Sequence, residues 1–140
     1  MSLKNQASPD QTCACGRLNA SKKPLAFAAC CARYLADFED TPAPDAEALM
    51  RSRYSAFVLH RARYLLDTWH PSTRPAEVLP DDSTKWLGLE VRRHISVDPD
   101  HAQVEFVARY RVAGRGARIH ELSRFVREAG RWYYLDGDLR

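Results

Sequence analysis

Four cysteines fall within nineteen residues near the start of the chain, as Cys13-Ala-Cys15-Gly16 and Cys30-Cys31, and the remaining sequence contains none. Two close thiol pairs joined by a loop are a donor set for a tetrahedral ion. Zinc favours such soft ligands and is held by four of them at closed structural sites. Gly16 lets the backbone turn so that N–H groups approach sulfur. Four thiolates around Zn²⁺ leave a net charge of −2, and Arg17, Lys22, Lys23 and Arg33 stand close enough in sequence to offset it. A stretch this short has little core of its own, so a bound metal would supply most of its folding free energy, on the order of 10 kcal/mol. Disulfides, a redox pair and unrelated buried cysteines are the competing readings. A reducing compartment disfavours the first, and the C-x-C spacing differs from the C-x-x-C of thioredoxin-like sites.

A second set of chemistry-bearing side chains is scattered through the later sequence. Tyr54, Trp69, His70, Arg74, His120, Glu121, Arg124, Trp132 and Tyr134 are the candidates to line a pocket. His70 sits just past the end of a helical stretch. On an extended strand His120 and Arg124 share a face with Leu122, whereas Glu121 shares the opposite face with Ser123 and Phe125. His120 and Glu121 therefore cannot act together on one substrate unless a bulge intervenes. No nucleophile elbow, phosphate-binding loop, dinucleotide fingerprint or zinc-protease motif occurs.

The elements that must position these groups read as helices followed by strands. Residues 1–12 are polar and are expected to be loosely attached, residues 13–36 form the cysteine knuckle, and 37–44 are an acidic, Pro-rich connector. From residue 45 onward one α+β domain is expected. Asp45 caps a helix whose apolar face carries Ala46, Leu49, Met50, Tyr54, Phe57 and Val58, interrupted only by Arg53. A shorter helix over 61–69 places Ala62, Leu65, Leu66 and Trp69 inward and ends at His70-Pro71. Residues 71–84 read as a loop. Leu87, Leu89, Val91, Ile95 and Val97 then alternate with Trp86, Gly88, Glu90, Arg92, His94 and Ser96. Val104, Phe106, Ala108, Tyr110 and Val112 alternate likewise. Turns at 98–100, at Gly114-Arg115-Gly116 and at Ala129-Gly130 separate four strands, which gives an antiparallel meander.

The C-x-C-G run followed by an adjacent ligand pair resembles the SEC-C motif, named from the zinc-binding tail of the SecA preprotein translocase. The stretch Asp45–Phe57 (DAEALMRSRYSAF) and Tyr64–Pro75 (YLLDTWHPSTRP) resemble the bacterial YchJ family of uncharacterised proteins. So do Val104–Tyr110 (VEFVARY), His120–Phe125 (HELSRF) and Gly130–Gly137 (GRWYYLDG). The resemblance implies a SEC-C knuckle with Cys13, Cys15, Cys30 and Cys31 as zinc ligands. It also implies a domain similar to nuclear transport factor 2, a cystatin-like cone in which a curved four-stranded antiparallel sheet packs against N-terminal helices. The sequence departs from the motif in one respect: fourteen residues, 16–29, separate the ligand pairs where about eight are usual. Loop closure entropy grows only logarithmically, so the longer loop costs well under about 1 kcal/mol.

Composition narrows the partners. The net charge is +3, with five basic and four acidic residues up to Pro44 and sixteen and fourteen beyond it. Nine arginines lie within 92–131, but Glu105, Glu121 and Glu128 interrupt them, which argues against nucleic acid. No apolar run reaches the roughly 20 residues that span a bilayer, and the first residues lack an apolar signal core, so the expected location is the cytoplasm. Two functions follow as expectations. One is a metal-binding adaptor or ligand-binding module that meets a protein partner through the knuckle and a small ligand in the cavity. The other is a small enzyme using that cavity for acid–base chemistry. Folds of this kind also pair through their sheets, so a homodimer is a further expectation.

Overall fold

The structure is a computed structural model that describes residues 8–140. The loose attachment expected for residues 1–12 lies outside the described residues for 1–7. Residues 8–12 are tied down: Phe27 N–H donates to the Gln11 carbonyl at 2.7 Å and Ala28 N–H to that of Pro9 at 3.0 Å. A 3₁₀ turn at Phe27–Ala29 is followed by α1 (Ala32–Ala36), α2 (Ala46–Val58) and α3 (Ala62–Asp67). Four strands complete the chain: β1 (Thr84–Asp98), β2 (His101–Val112), β3 (Arg115–Glu128) and β4 (Arg131–Leu139). They form one antiparallel sheet in the order β1-β2-β3-β4, the meander expected from the turn spacing. No described helix is long and apolar enough to cross a membrane.

Helix α2 organises the rest. The Asp45 carboxylate accepts the Ala48 N–H at 2.7 Å, satisfying a donor that the first turn leaves free. Its expected apolar face packs on the sheet. The opposite face, carrying Ala48, Ser52 and Ser55, is buried as well. Those small side chains admit close neighbours: Ser52 Oγ lies 2.7 Å from the Tyr64 hydroxyl of α3 and 3.7 Å from Cys13 Sγ is Ser55 Oγ. The helix is therefore covered on both sides, by the sheet and by the knuckle with α3.

Helix α3 is shorter than the expected 61–69. Thr68 Oγ1 donates to the Tyr64 carbonyl at 2.7 Å, and the chain then leaves the helix to run beside β4. Tyr134 N–H donates to Thr68 O and His70 N–H to Tyr134 O, both at 2.8 Å. Pairing with the sheet edge stops the helix before Pro71 does. The connector is also more than a spacer, because Arg131 of β4 donates to the carbonyls of Phe38 and Glu39 and stacks over the Phe38 ring.

Strand β1 departs furthest from its sequence pattern. Register shifts at Trp86/Gly88, Val91/Arg93 and Ser96/Asp98 insert bulges. Each bulge adds a residue and reverses the side-chain alternation beyond it. Trp86, expected on the polar side, pairs with Tyr110 and turns to the core with Leu89 and Val91. Leu87 and Val97, expected in the core, are 47% and 57% exposed. His94 pairs with Val104 and approaches Glu47 of α2, while Ile95 pairs with Gln103.

The hairpin joining β2 to β3 turns at Ala113-Gly114, one residue earlier than the glycine spacing suggested, and the one joining β3 to β4 turns at Ala129-Gly130. In both, the two residues have positive φ: 52° and 78° in the first, 51° and 76° in the second. That is the type I′ geometry that matches strand twist. Alanine enters it at a steric cost that asparagine largely avoids. Ala113→Asn and Ala129→Asn are each expected to raise unfolding stability by about 0.5–1 kcal/mol, measured as a rise in the urea midpoint at constant slope; an unchanged or lower midpoint for both contradicts the turn assignment.

Candidate metal centre and cavity

The knuckle is a small hairpin closed by bridges pairing Thr12 with Ala26 and Leu18 with Pro24. Asn19 shapes its tip, its side-chain oxygen accepting the N–H groups of Ser21 at 2.8 Å and Lys23 at 3.1 Å. The fourteen residues between the cysteine pairs thus fold into an arm of their own. Gly16, at φ 75°, makes the turn after Cys15, and its N–H donates to the Cys13 carbonyl at 3.2 Å. The backbone N–H groups of Cys15 and Arg17 are the ones that approach sulfur, at Cys13 and Cys15 respectively.

The four sulfur atoms lie within 4.8 Å of one another, and all four cysteines are buried at 3% exposure or less. None is in a disulfide. Cys15 Sγ and Cys30 Sγ are 3.6 Å apart, far beyond the roughly 2.05 Å of a disulfide and close to the about 3.8 Å edge of a tetrahedron with zinc–sulfur bonds near 2.3 Å. The donor set therefore fits a metal ion. Its electrostatics point the same way. Hydrogen bonds from Cys15, Cys30 and Cys31 hold the Cys13 thiol far below its ordinary value, while the same crowding, led by Cys13, pushes Cys31 far above it. Four like charges cannot share a buried site without a cation.

Arginines surround the cluster. Arg33 Nε donates to the Cys30 carbonyl at 3.0 Å, and Arg51 Nη1 donates to that of Cys15 at 2.9 Å while its Nε holds Glu47 at 2.8 Å. Arg17 joins them along a shallow recess beside Cys30 and Cys31. Lys22, by contrast, sits at the exposed hairpin tip with Lys23. Leu25, Phe27, Leu35 and Leu89 pack around the sulfurs, so the cluster rests on β1 as well as on α2.

Between α2 and the concave sheet face lies a cavity of about 440 Å³, within the usual range for small-molecule sites. Met50, Arg53, Tyr54 and Phe57 of α2 form one wall with Trp69. Thr84 and Trp86 of β1, Phe106, Ala108 and Tyr110 of β2, Ile119, Glu121, Ser123 and Phe125 of β3, and Tyr134 of β4 form the other. Trp86 meets Tyr54, Phe57 and Tyr110 at ring separations of 5.7, 5.9 and 5.5 Å.

Strand parity decides which of the candidate pocket residues come together. Tyr54, Trp69, Glu121 and Tyr134 line the cavity. His120 points to the other sheet face, where its Nε2 lies 2.6 Å from Glu105. His120 and then Arg93 hold the Glu105 carboxyl below the usual carboxylate range. Arg124 lies on that same face, bound to Asp136 and Asp138, which raise its pKa further. His70 is bracketed by Ser72 at 2.7 Å and Glu128 at 2.6 Å, Arg74 donates to the Trp69 carbonyl, and Trp132 packs under Arg127. None of these five side chains lines the cavity.

The polar groups inside it are few. Glu121 Oε1 accepts from Ser123 Oγ at 2.6 Å and from the Tyr134 hydroxyl at 3.1 Å. Its side chain lies where a Cβ on Gly137 would stand, 2.1 Å from Oε1, so any larger residue there must push Glu121 aside. Arg53 is 5% exposed, donates through Nη1 to the Leu65 carbonyl at 2.8 Å and to Thr68 Oγ1 at 2.7 Å, and stacks on Trp69 and Tyr134. Burial lowers its pKa to about 10. Burial pushes Tyr54 up to about 12, opposed by the nearby Gly88 N–H, and raises Tyr134 too. Sequence reasoning did not place Arg53 or Trp86 at the cavity. The signal for Arg53 was its position as the lone charge on the apolar face of α2; for Trp86 a bulge hid it.

Known proteins share this architecture. A UPF0225 protein of a Polaromonas species is 65% identical over 133 residues, covering 94% of this chain and 96% of that protein. A UPF0225 protein of Bordetella bronchiseptica is 54% identical over 139 residues, covering 99% and 100%. Two solved structures are similar throughout. The crystal structure of a SEC-C motif containing protein from Psychrobacter arcticus has a TM-score of 0.76 at 36% identity, covering 94% of this chain and 84% of that one. The solution structure of a SEC-C motif containing protein from Rhodopseudomonas palustris has a TM-score of 0.76 at 32% identity, covering 91% and 98%. Residues 45–137, which hold α2, α3, the sheet and the cavity, match the family described as YchJ, middle NTF2-like domain. With the knuckle's four converging sulfurs ahead of that match, the chain belongs to the YchJ family.

Proposed function

We propose that the chain is a zinc-binding ligand-binding module, in which Cys13, Cys15, Cys30 and Cys31 hold a structural Zn²⁺ and the cavity takes a small organic molecule. The observation that carries the reading is the convergence of four buried thiols within 4.8 Å of one another. Four protein ligands leave no open position, so the ion's task is to fold the knuckle and fasten it to α2 rather than to activate water. The exposed tip around Leu18, Lys22 and Lys23 is the surface that this adaptor offers to a protein partner.

A second reading, acid–base catalysis in the cavity, has one observation in its favour: a carboxylate, Glu121, faces an otherwise largely apolar space. The candidate histidines His70 and His120 face elsewhere, bonded to Glu128 and Glu105. Binding therefore ranks ahead of catalysis.

Untagged protein is expected to contain about one zinc ion per chain, and Cys13→Ser/Cys15→Ser protein to contain almost none, by elemental mass spectrometry. Stripping the ion should release the amide-exchange protection of Cys13, Gly16 and Cys30 while β2 and β3 stay protected. Zinc-free protein that keeps the knuckle protected contradicts the structural role. The two sites are also expected to be separable. Gly137→Ala, which forces Glu121 aside, should lower unfolding stability by about 1–3 kcal/mol with zinc content unchanged; loss of metal in that variant would contradict the assignment.

A further inference from the structure

The cavity contains one cationic and one anionic side chain that do not pair. Among the described residues no carboxylate lies within ion-pair distance of Arg53, and Glu121 accepts only from neutral hydroxyls. Both are arranged around Tyr134. The Arg53 guanidinium sits over its ring, 4.7 Å from the centroid, and the Glu121 carboxylate receives its hydroxyl. Nη1 of Arg53 is committed to Leu65 and Thr68, and Glu121 Oε1 to Ser123 and Tyr134. The other guanidinium nitrogens and Oε2 remain for a guest.

These charges restrict what can enter. A charged guest loses its hydration on entering an apolar space, a cost recovered only if the site supplies a net opposite charge. Here the two charges cancel. An anion drawn to Arg53 meets Glu121, and a cation drawn to Glu121 meets Arg53. A neutral guest avoids the penalty and can use both ends, accepting from the guanidinium and donating to the carboxylate. The rings of Trp69 and Trp86 in the walls favour a flat, unsaturated body.

Building on the ligand-binding reading of the cavity, we propose that its ligand class is uncharged, flat molecules carrying a hydrogen-bond acceptor next to a donor, as in an amide or lactam, and that Arg53 and Glu121 together select against charged analogues.

The test uses three probes with one ring system: 1-naphthylacetamide, 1-naphthylacetate and 1-naphthylmethylamine. Each is titrated into the zinc-loaded full chain, with backbone amide NMR shifts of β2 and β3 and calorimetry as readouts. The amide is expected to bind at least tenfold more tightly than either charged probe. Glu121→Gln, which keeps an acceptor for Ser123 and Tyr134, should improve acetate binding at least tenfold relative to the amide. Should that variant fail to fold, the wild-type ranking decides the matter alone. Wild type that prefers a charged probe, or a Glu121→Gln variant with the same ranking as wild type, overturns the neutral selectivity while leaving a ligand-binding cavity in place. No shift at cavity residues with any probe at millimolar concentration overturns both readings.

Discussion

Helix α2 has no free side. Its apolar face is pressed on a curved sheet, and its small-residue face receives both the cysteine hairpin and α3. Burying a helix all round is stable only if each polar group on it finds a partner. Here Ser52 reaches Tyr64, Ser55 reaches Cys13, Arg53 reaches the end of α3 and Arg51 reaches the Cys15 carbonyl. No fully enclosed side-chain polar atom among the described residues is left without a bond. The knuckle and the cavity therefore lie on opposite sides of one helix.

This arrangement explains how two chemically unlike features coexist in 140 residues. The hairpin has too little apolar surface to fold alone, but a set of converging sulfurs needs only a few fixed backbone turns. The cavity needs the reverse, a broad rigid frame with few polar groups. Arg53 serves that frame: it ties α2 to the carbonyl of Leu65 while its guanidinium remains at the cavity wall.

Much of this was legible in the sequence, for identifiable reasons. The cysteine quartet and the capped helix at Asp45 rest on local chemistry, and the four-strand meander on turn residues and period-two alternation. The opposition of His120 and Glu121 followed from strand parity alone, although which face was concave did not. The misreadings came where the backbone breaks its own period. Three bulges in β1 moved Trp86 inward and Leu87 and Val97 outward; Gly88 beside the first was the one available signal, and no residue marked the other two. The early end of α3 depended on a bond to Tyr134, more than sixty residues away, which a local pattern cannot reveal. Nothing in the sequence marked the Ala48, Ser52 and Ser55 face of α2 as buried, because serine and alanine suit either setting.

The irregularities of β1 have a further effect. It is an outer strand of the sheet, fifteen residues long, and a flat strand of that length would present a row of unmatched amides to any other chain. Its breaks in register bend that margin, and Glu90, Arg92 and Arg93 place charge along it. The opposite margin, β4, is partly covered by Trp69 and His70. A curved floor for the cavity and a safeguard against fibrous stacking thus arise from the same extra residues, so straightening β1 would be expected to cost solubility before it cost the fold.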